Sequence, residues 1–368
     1  MIVQISINYG GHDTSAALSI NDKIVAAAEQ ERYDLSKHSR NFPTEAINSC
    51  LEISKLKLSQ VDRLILTTDF PTGIRKFYLE PALKNNFMLK RLINEHDIIK
   101  NYLDFENKVR KKLNYKGEII TFHHHLCHIA SAYYPSGFNK ALILSLDGVG
   151  QFETGMLASA NNGKIKIHKF NANYPHSLGL IYSAITFFLG WKHHCDEGII
   201  MGLAPYGNPY RIVPKQSLRY IDVFRKIISI DKELGIKINT EWIAYHRQRN
   251  VWVSDKFKLL FGKKRDSNDK ITNHHKNIAA ALQLRLEEVV IATLKKIKKK
   301  YNINKLCIAG GVGLNCSLNG KIHNSNIFKE IFVQPASGDS GLVIGGLYLG
   351  IKNKFAKKLK IEKKYNNY

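Results

Sequence analysis

The densest run of chemistry-bearing side chains is His123-His124-His125-Leu126-Cys127-His128. Read as a helix that stops at Pro135, it sets His124 and His128 four residues apart on one face, where both imidazoles can reach one metal ion. Histidines at this spacing are commonly a plain helix face, so the pair needs further ligands to carry meaning. Two aspartates qualify. Asp147 opens the turn Asp147-Gly148-Val149-Gly150 at a strand end, and Asp339 stands in the loop Ser337-Gly338-Asp339-Ser340-Gly341. The flanking glycines let a side chain or ligand come close to the backbone, although an Asp-Gly turn is also an ordinary structural choice. Mixed imidazole and carboxylate ligation suits Fe(II), Mn or Zn over Ca or Mg.

A second signal is Ala309-Gly310-Gly311-Val312-Gly313-Leu314-Asn315, which follows a short apolar strand and opens a helix. That context suits a phosphate or an adenosine against a helix N-terminus. The run is not G-x-G-x-x-G and lacks the Lys-Ser/Thr of a P-loop, and a glycine-rich strand–helix turn without any ligand is equally common.

These residues need elements to hold them. Ile2–Tyr9 alternates as a strand, and Ala16–Ile20 and Lys23–Glu29 read as two more, joined by a tight Asn21-Asp22 turn. Pro43–Ile53 is helical, Val61–Thr67 a buried strand, and Phe70–Tyr115 basic and helical. The design repeats mid-chain: a strand Ala141–Leu146, the Asp147 turn, and a return strand from Thr154 to Ser159. Lys276–Lys300 then forms a long amphipathic helix, Leu306–Ala309 and Ile331–Val333 are strands, and Leu342–Gly350 is a small-residue helix. The repeat predicts two related halves.

A chain of 368 residues, 44% hydrophobic and 23% charged, can bury a sizeable core and is neither disordered nor a disulfide scaffold. Its five scattered cysteines read as reduced thiols in a cytoplasmic protein. The longest apolar stretch, Ser177–Trp191, falls short of the roughly 20 residues that a spanning helix needs, so no membrane span is expected. The charge is +24, from 55 Lys and Arg against 31 Asp and Glu. Such an excess fits either a solvated lysine-rich surface or a polyanion-binding one. Between 208 and 270 lies a basic insertion with Tyr245, Arg247, Arg249 and Trp252 interleaved.

Several motifs occur together in order: Gly11-His12-Asp13-Thr14-Ser15-Ala16-Ala17, Glu29-Gln30-Glu31-Arg32 with Lys37-His38, the His124–His128 run, Glu197–Gly207, Gly310–Gly320 and Gly338-Asp339-Ser340-Gly341. Over residues 1–350 the chain resembles the O-carbamoyltransferases of nodulation-factor and antibiotic biosynthesis, relatives of the tRNA threonylcarbamoyl-adenosine transferase. Segments 70–118 and 208–270 match poorly. The resemblance implies an α/β, actin/Hsp70-like (ASKHA) fold of two ribonuclease-H-like halves, about 1–140 and 141–350, with a metal and nucleotide site in the cleft and a basic tail at 351–368. It implies that His124, His128, Asp147 and Asp339 hold a divalent metal, usually iron. Gly310, Gly311, Asn315 and Asn319 would line the adenylate site, and His12 and Lys37 lie close to the transferred carbamoyl group. Two positions depart from the family pattern: Ile199 stands where a Lys is usual, and Asn277 where an Asp is. The family's C-terminal adenylating domain is not expected within these residues.

The implied reaction moves a carbamoyl group from carbamoyl-adenylate, made from carbamoyl phosphate and ATP, to an acceptor hydroxyl. His12 would take the hydroxyl proton, Asp13 would orient His12 or cap the turn, and Lys37 would stabilise the oxyanion. A sugar or glycan is the family's commonest acceptor. The basic insertion makes a nucleotide or nucleic acid a competitor, with Arg247, Arg249 and Arg265 on phosphates and Tyr245 or Trp252 stacked on bases. A separate adenylating protein could supply the donor. The alternatives are a threonylcarbamoyl-type tRNA transferase and a non-catalytic nucleotide-binding subunit of a split enzyme.

Overall fold

A computed structural model describes residues 1–83 and 86–352. The N-terminal strand forms as β1 (Val3–Asn8), and all six of its residues are buried. A strand covered on both faces belongs in the middle of a sheet. Accordingly β1 pairs antiparallel with β2 (Ser15–Ile20) and parallel with β4 (Arg63–Leu66). With β3 (Lys23–Glu29) and β5 (Glu118–Thr121) the order is β3-β2-β1-β4-β5. The β2–β3 hairpin turns at Asn21, whose φ of +56° lies in the left-handed region that asparagine tolerates.

The second sheet repeats this plan. Its first strand, β6 (Lys140–Leu146), runs antiparallel to β7 (Gly155–Asn161), which pairs with β8 (Lys164–His168). A two-stranded ribbon of β9 (Ile228–Ile230) and β10 (Ile236–Ile238) intervenes. Then β11 (Lys305–Ala309) joins the free side of β6 in parallel, followed by β12 (Glu330–Val333), giving β12-β11-β6-β7-β8. Each sheet is thus a three-strand meander with two parallel strands added beside its first strand. This duplicated order is the actin/Hsp70-like arrangement of two ribonuclease-H-like halves. The β1–β2 and β6–β7 turns occupy equivalent places, and they carry His12-Asp13 and Asp147 respectively.

Two helices exchange between the halves. The helix His124–Tyr133 packs on β6, β7 and β11, whereas Leu342–Lys352 packs on β1, β2 and β4, and the two helices pack on each other. Ala17, Ile65, Phe122, Cys127, Leu342, Val343 and Leu347 form the apolar cluster at this crossing. Of the basic tail expected at 351–368, Ile351 and Lys352 belong to the helix Leu342–Lys352, and the remainder lies outside the described residues.

The insertion is no separate body. Its helices Tyr220–Ile227 and Asp255–Phe261 send Tyr220, Phe224, Phe257 and Phe261 into the same core as the apolar helix Leu178–Phe188 and the long helix Asn273–Tyr301. Aromatic residues therefore anchor it by burial, the dominant favourable contribution to folding.

Candidate metal centre and transfer site

The first turn of the His124–Tyr133 helix, the end of β6 and the short turn Asp339–Gly341 meet at one point. His124 Nε2 lies 3.2 Å from Asp147 Oδ2 and 3.6 Å from Asp339 Oδ1, and His128 Nε2 lies 3.6 Å from each of the same two oxygens. One ligand atom from each residue falls within 4.8 Å of the others. His124, His128 and Asp147 are buried. Burial alone would raise the Asp147 carboxyl, but the facing imidazoles of His124 and His128 outweigh it and hold the carboxyl well below the usual range.

The donor set fits a divalent transition ion. Both ring nitrogens of His128 are buried without a hydrogen-bond partner, an expense a protein rarely tolerates. Two imidazoles and two carboxylates also match the ligand types and charge such an ion takes.

Neighbouring groups hold these ligands in place. His125 is buried and, by burial first, pushed down to about 3, so its ring is neutral. It donates from Nε2 to the Glu153 carbonyl oxygen (2.8 Å), which leaves Nδ1 to accept from the Ser145 hydroxyl (2.9 Å). The Glu153 carboxylate takes Lys76 at 2.5 Å and His123 at 3.1 Å. Asp147 Oδ1 accepts from the Gly311 amide at 2.9 Å. Gly310, at φ +87°, leaves no room for a β-carbon against the Leu146 carbonyl oxygen. The glycine turn thus serves the metal candidates directly, a role sequence reading did not give it.

On the first half, His12 Nδ1 donates to Asp13 Oδ2 (2.7 Å), and the His12 ring stacks on His194 from the second half, with centroids 5.8 Å apart. Burial would lower the pKa of His12, but the bond to Asp13 and the charges of Asp339, Asp13 and Asp147 raise it to about 9. Ser15 Oγ donates to the Ser340 carbonyl (3.0 Å), tying the His12 hairpin to the Asp339 turn. Lys37 is mostly exposed and reaches over to the Cys195 carbonyl (3.4 Å), next to His194. The structure therefore brings His12 and Lys37 to one loop of the opposite half.

Asn315 caps the helix Cys316–Asn324 by accepting from the Leu318 amide, and it exchanges two bonds with Gln283. Asn319 donates to the Gly313 carbonyl (2.7 Å), while its Oδ1 is buried without a partner. Behind them Glu287, buried, accepts from Gln283 and Ser317. Gln283 and Glu287 were missed in the sequence, where the available signal was a polar pair four residues apart inside an apolar stripe. Ile199 is about half exposed, and Asn277 accepts from the Asn208 amide (2.7 Å), a bond an Asp would also make.

Two of the three arginines expected on phosphates are otherwise engaged. Arg265 is buried and donates to the carbonyl oxygens of Leu189, Ser267 and Asp269, with its guanidinium over Trp191. Arg249 pairs with Glu95 (3.1 Å), and Arg247 is exposed, with a bond to His246. Tyr245 is core, donating to the Pro175 carbonyl. Trp252, by contrast, is partly buried with its ring centroid 4.4 Å from His193 and 5.3 Å from His194.

Residues 2–347 match the family model described as the carbamoyltransferase N-terminus. An uncharacterised protein of Synechocystis is 33% identical across 94% of the chain and 56% of its own length. Nodulation protein NolNO of Sinorhizobium fredii is 33% identical across 91% of the chain and 45% of its own length. The chain spans about half the length of these curated relatives. Among solved structures, component A of the (R)-2-hydroxyglutaryl-CoA dehydratase of Acidaminococcus fermentans aligns over 96% of the chain and 99% of its own, at 12% identity and a TM-score of 0.49. No helix among the described residues is long and apolar enough to cross a membrane.

Proposed function

From the premise that the chain belongs to the carbamoyltransferase family, we propose that it performs the transfer step: an acceptor hydroxyl attacks the carbonyl carbon of carbamoyl-adenylate. A C–O bond to the acceptor forms, the bond to the phosphate oxygen breaks, and AMP leaves with that oxygen's electron pair. The observation that carries this reading is the four-residue cluster of His124, His128, Asp147 and Asp339, tied through Ser15 and Ser340 to the hairpin that presents His12.

His124, His128, Asp147 and Asp339 would hold the divalent ion, Fe(II) with Mn or Zn as the other choices, and when bound it supplies a Lewis acid for the carbonyl oxygen. His12 takes the acceptor's proton at Nε2, since Nδ1 is committed to Asp13. A cation held by Asp147 and Asp339 would offset two of the contributions that raise His12, both smaller than the bond to Asp13. Lys37 provides positive charge at the mouth of the same loop. Gly310 and Gly311 in the turn, with Asn315 and Asn319 at the start of the helix that follows, are the residues against which the adenylate would lie.

For the acceptor we favour a sugar or similar hydroxylated small molecule. His194 sets an aromatic ring beside His12, and Trp252 packs against His194 one ring farther out, as suits the apolar face of a sugar ring, whereas Arg249 is paired and Arg265 buried. The test is a single turnover with preformed carbamoyl-adenylate and a panel of sugars and oligonucleotides. Carbamoylated sugar with stoichiometric AMP is expected. Absence of any carbamoylated product from the metal-loaded protein overturns the transfer reading, and product from oligonucleotides alone overturns the acceptor class.

A further inference from the structure

Asp13 faces two imidazoles at once. Its Oδ2 accepts from His12 Nδ1 at 2.7 Å, and its Oδ1 from His38 Nδ1 at 2.6 Å. Burial alone would raise its pKa, yet the two imidazoles hold the carboxyl well below the ordinary range. An ionised carboxylate has no hydrogen to give, so both rings must carry theirs on Nδ1. Each Nε2 is left for other work, and that of His38 is buried without a partner.

The surrounding backbone holds this arrangement firmly. Asp13 and His38 both sit at φ +56°, a conformation that side-chain-bearing residues adopt at some cost. The Asn8 amide donates to the carbonyl oxygens of both His12 and Asp13. The His38 amide donates to Glu31 Oε2 at 2.8 Å, and the Ser39 carbonyl accepts from the Thr14 amide at 3.1 Å. Asp13, Glu31 and His38 are close enough to suggest a cation cluster. Their oxygens already accept these N–H groups, which accounts for the grouping by hydrogen bonds.

We propose that His38 is a positioning residue that acts through Asp13 to fix the His12 ring as its Nδ1–H tautomer. A carboxylate with one partner can swing about its Cβ–Cγ bond and carry that partner with it. A second donor, 25 residues away on a separately anchored loop, removes this freedom. His12 then keeps one orientation, with Nε2 as its only proton acceptor. The activity arm of the test below rests on the transfer reading; the spectroscopic arm does not.

The experiment compares His38→Ala, His38→Asn and His38→Gln in the full chain. The asparagine amide nitrogen can occupy the place of Nδ1, and asparagine tolerates positive φ. The glutamine amide reaches the place of Nε2 instead. The readouts are kcat and KM for transfer, and nitrogen-15 NMR of the His12 ring in histidine-labelled protein. Alanine and glutamine should lower kcat about tenfold or more, at the scale of a misplaced general base. The KM for the donor should be unchanged, and the His12 Nδ1–H signal lost or exchange-broadened. Asparagine should restore both kcat, to within about threefold, and the signal.

Equal losses in asparagine and alanine would overturn the proposal, since the ring would then act by itself rather than through Asp13. So would an unchanged kcat in alanine. If alanine does not fold, asparagine against glutamine decides the same question. If wild-type protein transfers nothing, the transfer reading falls, while the His12 signal still shows whether His38 governs its tautomer.

Discussion

Gly345 of the last helix lies so close to Cys127 of the His124–Tyr133 helix that the Cys127 carbonyl oxygen stands where a β-carbon would go. This contact sets the spacing of two helices that carry, or directly follow, all the cluster residues except Asp147. Gly345→Val should therefore cost about 1–3 kcal/mol in chemical denaturation. It should also lower the affinity for divalent metal, because His124 and His128 move away from Asp339. Full metal affinity in a folded Gly345→Val protein would show that the crossing does not set the site.

Metal content offers a second check. Purified protein should hold about one divalent ion per chain, and the His124→Ala, His128→Ala double variant should hold none by elemental analysis. Asp339→Asn should retain it more weakly. Titrating Fe(II), Mn or Zn into metal-free wild type should raise Tm, as any ligand of the native state does. Equal metal in wild type and the double variant would mean the ligands lie elsewhere.

Arg265 should behave as a core residue. Its guanidinium satisfies three carbonyl oxygens under cover of Trp191. Arg265→Ala should lower stability by about 2–4 kcal/mol, since it leaves buried acceptors without donors. Arg247→Ala, at an exposed position, should change stability by less than about 0.5 kcal/mol. Urea unfolding of the two variants makes the comparison.

Trp252→Ala should raise the KM for a sugar acceptor more than it lowers kcat, because stacking contributes to binding rather than to the proton transfer. Trp252→Tyr should recover most of the loss. An unchanged acceptor KM in the alanine variant would remove Trp252 from the acceptor site.

Glu153 predicts a pH effect on stability. Burial would raise its carboxyl, but His123 and Lys76 outweigh it and hold the group well below its ordinary value of 4.5. A carboxyl depressed in the folded state adds stability that is present above its unfolded pKa and is lost as pH falls below that. Wild type should therefore exceed Glu153→Gln in urea midpoint near neutral pH. The gap should narrow from about pH 4.5 downward, where the unfolded chain gains a proton that the native carboxylate resists.

Much of the site was legible because its residues are local signals. His124 and His128 sit at helical spacing, Asp147 at the end of an apolar strand, and Asp339 in a glycine-flanked loop. Their convergence follows from the duplicated meander, which apolar runs and the Asn21-Asp22 turn revealed. What could not be read was partnership across distance. Nothing in Arg265 distinguishes a phosphate contact from a donor wedged among carbonyls, and nothing local joins Asp13 to His38 or Glu153 to Lys76. The strands β5 and β8 escaped notice for a simpler reason: β5 lies at a sheet edge with only partly buried apolar residues, and β8 is Lys-Ile-Lys-Ile-His, too polar to stand out.

The helix exchange also bears on biosynthesis. A ribosome releases β1 to β5 long before it makes Leu342–Lys352, the helix that covers Ala17 and Ile65 on the first sheet. During elongation that face has Phe122 and Cys127 of its own half beside it but lacks the Leu342, Val343 and Leu347 side chains that complete its cover. The half of the molecule translated first is consequently the one completed last.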